Sequence, residues 1–145
     1  MAYFTEPEEA LDYVYALLND NKEALGLGFV GYGEERLLPV YPAAVVSFNV
    51  PVDRELYATR TFRLQWVIQI EVYHAKLTVG HKTRTREDMA LAASIRNKLH
   101  EDYTFGNRVV FGFVRSERPG VVADGKGRAN VATVLVWSGE SRAAL

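Results

Sequence analysis

The sequence predicts one α+β domain over residues 1–145: a mainly antiparallel sheet of four to five strands, with room for a parallel pair, and two helices packed on one face. Three observations carry this reading. Phe62, Leu64, Trp66, Ile68, Ile70 and Val72 occupy every second position of a long run, with Arg63, Gln65, Gln69 and Glu71 between them. That alternation gives a strand one buried and one wet face, the habit of antiparallel sheets. Two segments carry apolar residues at helical spacing instead, and two further β-branched and aromatic runs close the chain.

In order, the first element is a helix. Thr5 is placed to cap it, Pro7 suits its first turn, and Glu8 stands three residues after Thr5 as in a capping box. Ala10, Leu11, Val14, Leu17 and Leu18 form its apolar stripe, and Asn19–Asn21 with Gly26 and Gly28 end it. Leu27–Gly33 is interrupted by glycines and reads equally as a short strand or a turn. Pro39 and Pro42 frame a strand at Ala43–Val50, and polar Pro51–Thr61 reads as a long connection to the alternating strand. Thr83 or Thr85 opens the second helix, whose stripe is Ala92, Ile95 and Leu99. The helix leaves room for the strands on either side of it to run parallel. Strands follow at Arg108–Arg115, with Val109, Phe111 and Phe113 on one face, and at Ala129–Ser138, with Val131, Leu135 and Trp137. Ser116–Arg128 reads as a second long loop, and Gly139–Leu145 as a loose tail.

Composition narrows the function classes. Without cysteine there is no disulfide, thiolate nucleophile or cysteine-ligated zinc. The acidic N-terminus lacks a secretory pattern, and no run reaches the roughly 18 apolar residues of a membrane span, so a soluble chain is expected. His74 and His81 match no zinc spacing, and with His100 they read as edge or surface residues. No serine lies in a Gly-x-Ser-x-Gly elbow. Asp124-Gly125-Lys126-Gly127 and the glycines of Leu27–Gly33 fit neither phosphate-loop pattern. No enzyme activity, metal or cofactor is expected. Arg54, Arg60, Arg63, Lys82, Arg84 and Arg86 lie near Tyr57, Trp66 and Tyr73, as on a nucleic-acid surface. The chain is slightly acidic overall and matches no nucleic-acid module, which argues against sequence-specific binding.

Charge is unevenly spread. Residues 1–35 carry eight acids and one base, net −7, against sixteen bases and ten acids, net +6, in residues 36–145. A solvated helix face accounts for much of this. The other reading is an acidic end of one protomer meeting a basic body on its neighbour.

The body of the chain resembles phage tail terminator proteins, the tail-completion or minor-tail family. The resemblance lies in Tyr41–Ser47 (YPAAVVS), Arg63–His74 (RLQWVIQIEVYH), the helix Arg86–Asp102 with its Ile95-Arg96-Asn97-Lys98-Leu99 pattern, and two closing strands, across roughly residues 40–138. It implies a virion protein at the head-proximal end of the tail, assembled in the host cytoplasm. Such proteins form homo-oligomeric rings, usually hexamers, that stop tail-tube polymerisation and join the tube to the head-completion or connector protein. Another head–tail joining protein, or a non-catalytic ligand-binding domain with one deep pocket, is the alternative. For a ring, the expected interface is basic residues of the two long connections, Arg54 and Arg60 with Arg115, Arg118, Lys126 and Arg128, against Glu8, Glu9 and Asp12 of a neighbour.

Overall fold

The structure, a computed structural model, describes residues 3–32, 40, 42–48, 53–58, 60–73, 81–123 and 129–144. Helix α1 spans Pro7–Asp20 with Pro7 at its first position. Its cap residue is Glu6 rather than Thr5, and the Thr5 hydroxyl donates to the Glu9 carboxylate instead of taking an amide. Ala10, Leu11, Val14 and Leu18 are buried along it, as the stripe requires. A short helix α2, Lys22–Leu25, follows and stops at Gly26, whose φ of 79° suits a residue without a Cβ.

The sheet is mixed and six-stranded. Its strands are β1 (Phe29–Tyr32), β2 (Ala43–Phe48), β3 (Asp53–Ala58), β4 (Thr61–Tyr73), β5 (Phe111–Ala123) and β6 (Ala129–Ala144), with α3 (His81–Leu99) between β4 and β5. β4 is the axis. On one side β6 pairs with it antiparallel from Thr61↔Ala144 to Tyr73↔Ala132. On the other side two strands lie end to end: β2 opposes Tyr73 to Ile68, and β3 opposes Gln65 to Thr61. β1 adds to β2 in parallel, and β5 adds to β6 antiparallel. β5 therefore runs in the same direction as β4, as the connecting helix allows, but β6 is inserted between them.

The even-numbered face of β4 carries the core. Leu64, Trp66, Ile68, Ile70 and Val72 are buried with Ala44, Val46, Leu135 and Trp137 against α1 and Ala92, Ile95 and Leu99 of α3. Two tryptophans are accommodated differently. Trp66 Nε1 donates to Ser141 Oγ at 2.7 Å, and that hydroxyl donates to the Phe4 carbonyl at 2.7 Å, so the segment before α1 is tied to the last strand. Trp137 lies over Gly112 and Gly139, which face each other in the ladder, and Phe105 stacks on it at 4.8 Å with an 8° interplanar angle. Any Cβ at either glycine would enter the ring.

Several expectations are corrected. The reverse face is not wet throughout, because Ala43, Val45, Tyr73 and Ala132 form a second buried cluster there with Phe29 against it. Glu71 is buried beside them and accepts from the Tyr73 hydroxyl and the Gln69 amide. Neither long connection is a loop of the expected length: residues 53–58 form β3, and residues 116–123 continue β5 past its bulge after Val114. The tail is not loose to residue 144, since Gly139–Ala144 pairs with Thr61–Trp66. The helix begins at His81, ahead of Thr83. Leu27–Gly33, whose sequence reads equally as strand or turn, contains strand β1. His74, Asp124–Gly127 and the side chains of His81 and Val131 lie outside the described residues.

Candidate assembly surfaces

The expected strand Arg108–Arg115 places Val109, Phe111 and Phe113 on one face. The structure starts β5 at Phe111 and separates these residues: Val109 is buried, while Phe111 and Phe113 point out on the reverse face. Gly112 decides the parity. It faces inward under Trp137, the one place in this stretch that no side chain can occupy, so its neighbours must face outward.

The turn after α3 builds the rest of this surface. Asp102 accepts from the Gly106 amide at 2.7 Å, the Thr104 amide at 3.0 Å and the Thr104 hydroxyl at 2.8 Å. These donors, the Gly106 amide foremost, hold its carboxyl below the ordinary aspartate range. Phe105, Gly106 and Asn107 all take left-handed φ values of 48°, 63° and 65°. The turn drives Phe105 onto Trp137 and leaves Val110 outside. The Gly112 amide donates to the Tyr103 carbonyl at 2.8 Å, bringing Tyr103 over Phe111 at 5.3 Å and 11°. The result is an apolar patch in which Tyr103, Val110, Phe111 and Phe113 are 44%, 40%, 52% and 40% exposed. Beside it an open groove of about 220 Å³ is lined by Val110, Phe111 and Phe113 with Gln65, Ser138 and Glu140.

β5 is also the outermost strand on its side of the sheet among the described residues. Two contacts pin it to α3 and to the residue that follows it. Arg96 pairs with Glu117 at 2.7 Å, and the Val114 amide, at the bulge, donates to His100 Nε2 at 2.9 Å. His100 is therefore an acceptor with a structural task, not simply an edge histidine. Arg115 and Arg118 are exposed further along β5, with no acidic partner among the described residues.

The opposite flank has the other sign. Glu8, Glu9 and Asp12 are exposed on α1, which packs over β1 and β2. The exposed Tyr32 of β1 meets Tyr15 edge-on at 5.5 Å and hydrogen-bonds Asp12, which raises the phenol above its ordinary value.

Of the residues expected at an interface, the structure keeps Glu8, Glu9 and Asp12 on one flank and Arg115 and Arg118 on the other. It does not unite the basic set. Arg54 in β3 and Arg60 in the turn before β4 lie on the acidic side of β4, at the Thr61 end. The β5–β6 pairing ends at Ala123↔Ala129, past the Tyr73 end of β4, about 40 Å away along a thirteen-residue strand at ~3.3 Å per residue. Lys126 and Arg128 lie outside the described residues. The aromatic patch escaped the sequence reading, and the signal for it was the glycine between Phe111 and Phe113. Among the described residues no group of three histidines and carboxylates is placed to hold a metal, and no helix is long and apolar enough to cross a membrane. No protein-family model matches this chain, and no curated protein is significantly similar to it.

Proposed function

We propose that this chain is a structural virion protein of the tail-terminator kind, whose copies close into a ring, six-fold by the resemblance, that caps the tail tube and meets the head connector. The observation that carries the reading is the patch of Tyr103, Val110, Phe111 and Phe113 on an outermost strand. Contiguous exposed aromatics on a sheet edge are a liability for a free monomer and a resource for an assembling one. The element order is compatible with this reading: α1, the strand after Pro42, the long β4, α3 and the two closing strands follow in that order, with α2, β1 and β3 in addition. Among the described residues, the groove beside β5 is open and smaller than the roughly 300–1,000 Å³ usual for small-ligand sites, and it lends no support to a ligand-binding domain. The test is the mass of the purified chain over a concentration series, alone and with tail tubes. Closed oligomers, or binding to tube ends, support the reading; a chain that stays monomeric and ignores tubes ends it.

A further inference from the structure

Resting on that reading, we infer that the β5 edge of one copy receives the α1 flank of a second copy, head to tail. Glu8 and Asp12 lie on the side of α1 that meets Tyr32 of β1, and β1 and β5 are the two ends of the strand order β1-β2-β4-β6-β5. The other side of α1 reaches the turn after α3, where Tyr13 meets Phe105 at 4.7 Å. Four inter-strand steps of ~4.8 Å put β1 and β5 about 19 Å apart, farther than an arginine on β5 spans toward the Asp12 that bonds Tyr32 of β1. Between copies nothing separates them.

Their chemistry matches. The β5 edge offers an apolar patch followed by two arginines without acidic partners among the described residues. The α1 flank offers Glu8, Glu9 and Asp12 beside the exposed ring of Tyr32. Arginine suits this role because its planar fork takes carboxylates in pairs, and an aromatic beside the acids meets the aromatics beside the arginines. Arg54 and Arg60, on the same side of β4 as the acids, have no place in such a contact. Because the two patches differ and do not overlap, each copy can use both at once. Such heterologous contacts close into rings when the rotation between copies allows it.

The test compares four variants of the full chain by sedimentation, each checked for an unchanged melting curve. Arg115→Glu with Arg118→Glu, and separately Glu8→Lys with Asp12→Lys, should each raise the concentration for half-assembly at least about tenfold, equivalent to ~1.4 kcal/mol per contact. All four substitutions together reverse both faces and should restore assembly. Arg54→Glu with Arg60→Glu should leave it unchanged. If the first two variants assemble like the parent, the ring reading stands and this interface is wrong. A dimer that survives Glu8→Lys with Asp12→Lys but not the β5 reversals overturns it in favour of a symmetric β5–β5 contact. A parent chain that never assembles, with or without tubes, overturns the ring reading itself.

Discussion

Replacing Gly139 by alanine sets two effects of opposite sign against each other. In a strand interior, alanine is favoured over glycine by about 0.5–1 kcal/mol through backbone entropy. Against this, a Cβ on Gly139 would stand 2.3 Å from Trp137 Cη2, and one on Gly112 would stand 2.1 Å from Cζ2. Carbon atoms are comfortable at about 3.5–4.0 Å, so the indole must retreat by more than ~1 Å. It has little room to do so, since Phe105 stacks on it in parallel at 4.8 Å. Overpacking of this kind costs about 1–3 kcal/mol, and with both ring faces engaged the upper part of that range is expected to outweigh the entropy gain. Urea unfolding followed by circular dichroism should show the midpoint falling by about 0.5–1.5 M for slopes of ~1–3 kcal/mol/M. The same substitution in a Trp137→Leu background should cost clearly less, since the colliding ring is gone, and the difference is the coupling energy. An unchanged midpoint, or the full cost persisting without the indole, would refute the glycine cradle.

Trp66→Phe should destabilise by about 1–2 kcal/mol more than Trp137→Phe, because only the first strands the buried Ser141–Phe4 relay; the Trp137 N–H has no acceptor among the described residues. Equal losses in urea would show the relay to be unimportant. Ile68→Ala and Ile70→Ala should each cost about 2–5 kcal/mol, and Val67→Ala, on the reverse face, clearly less; the opposite ranking in a monomeric protomer would contradict the register of β4. Burial, and then the charge of Arg96, lower the His100 pKa from its ordinary 6.5, against an opposing pull from Glu117. The unfolded chain then binds the proton first, so stability is complete above about pH 6.5 and declines as pH falls below it. Asp102, depressed from 3.8, acts only at lower pH. Melting temperature between pH 8 and 5 should fall less steeply in His100→Gln, which keeps an acceptor for Val114; identical slopes would remove His100 from the explanation.

What the sequence made legible was whatever repeats with a period. β4 alternates from Leu64 to Ile70, so its inward set could be read directly, and the stripe of α1 likewise. The elements missed are those whose pairing leaves no such mark. In β3, Arg54, Glu55 and Leu56 are all exposed, so no alternation betrays a strand. The second half of β5 contains Pro119 and Gly120, which read as turn residues, yet an outermost strand tolerates a proline because one side of its backbone needs no partner. In the tail, the buried Ser141 looks like any surface serine until Trp66 is known to lie beside it. The charge asymmetry behind the candidate surfaces was visible in composition. Its placement was not, because it depends on β6 entering between β4 and β5, a fact of long-range topology.

Whether copies of this chain close into a ring is tested most directly by native mass measurement of the purified 16.3 kDa protein across dilution, at low and high salt, with tail tubes added in a parallel series. The expected result is one closed species, six chains by the resemblance, which dissociates more readily at high salt because exposed arginine–carboxylate contacts are screened. A monomer at every concentration and salt, with no association to tube ends, would contradict it.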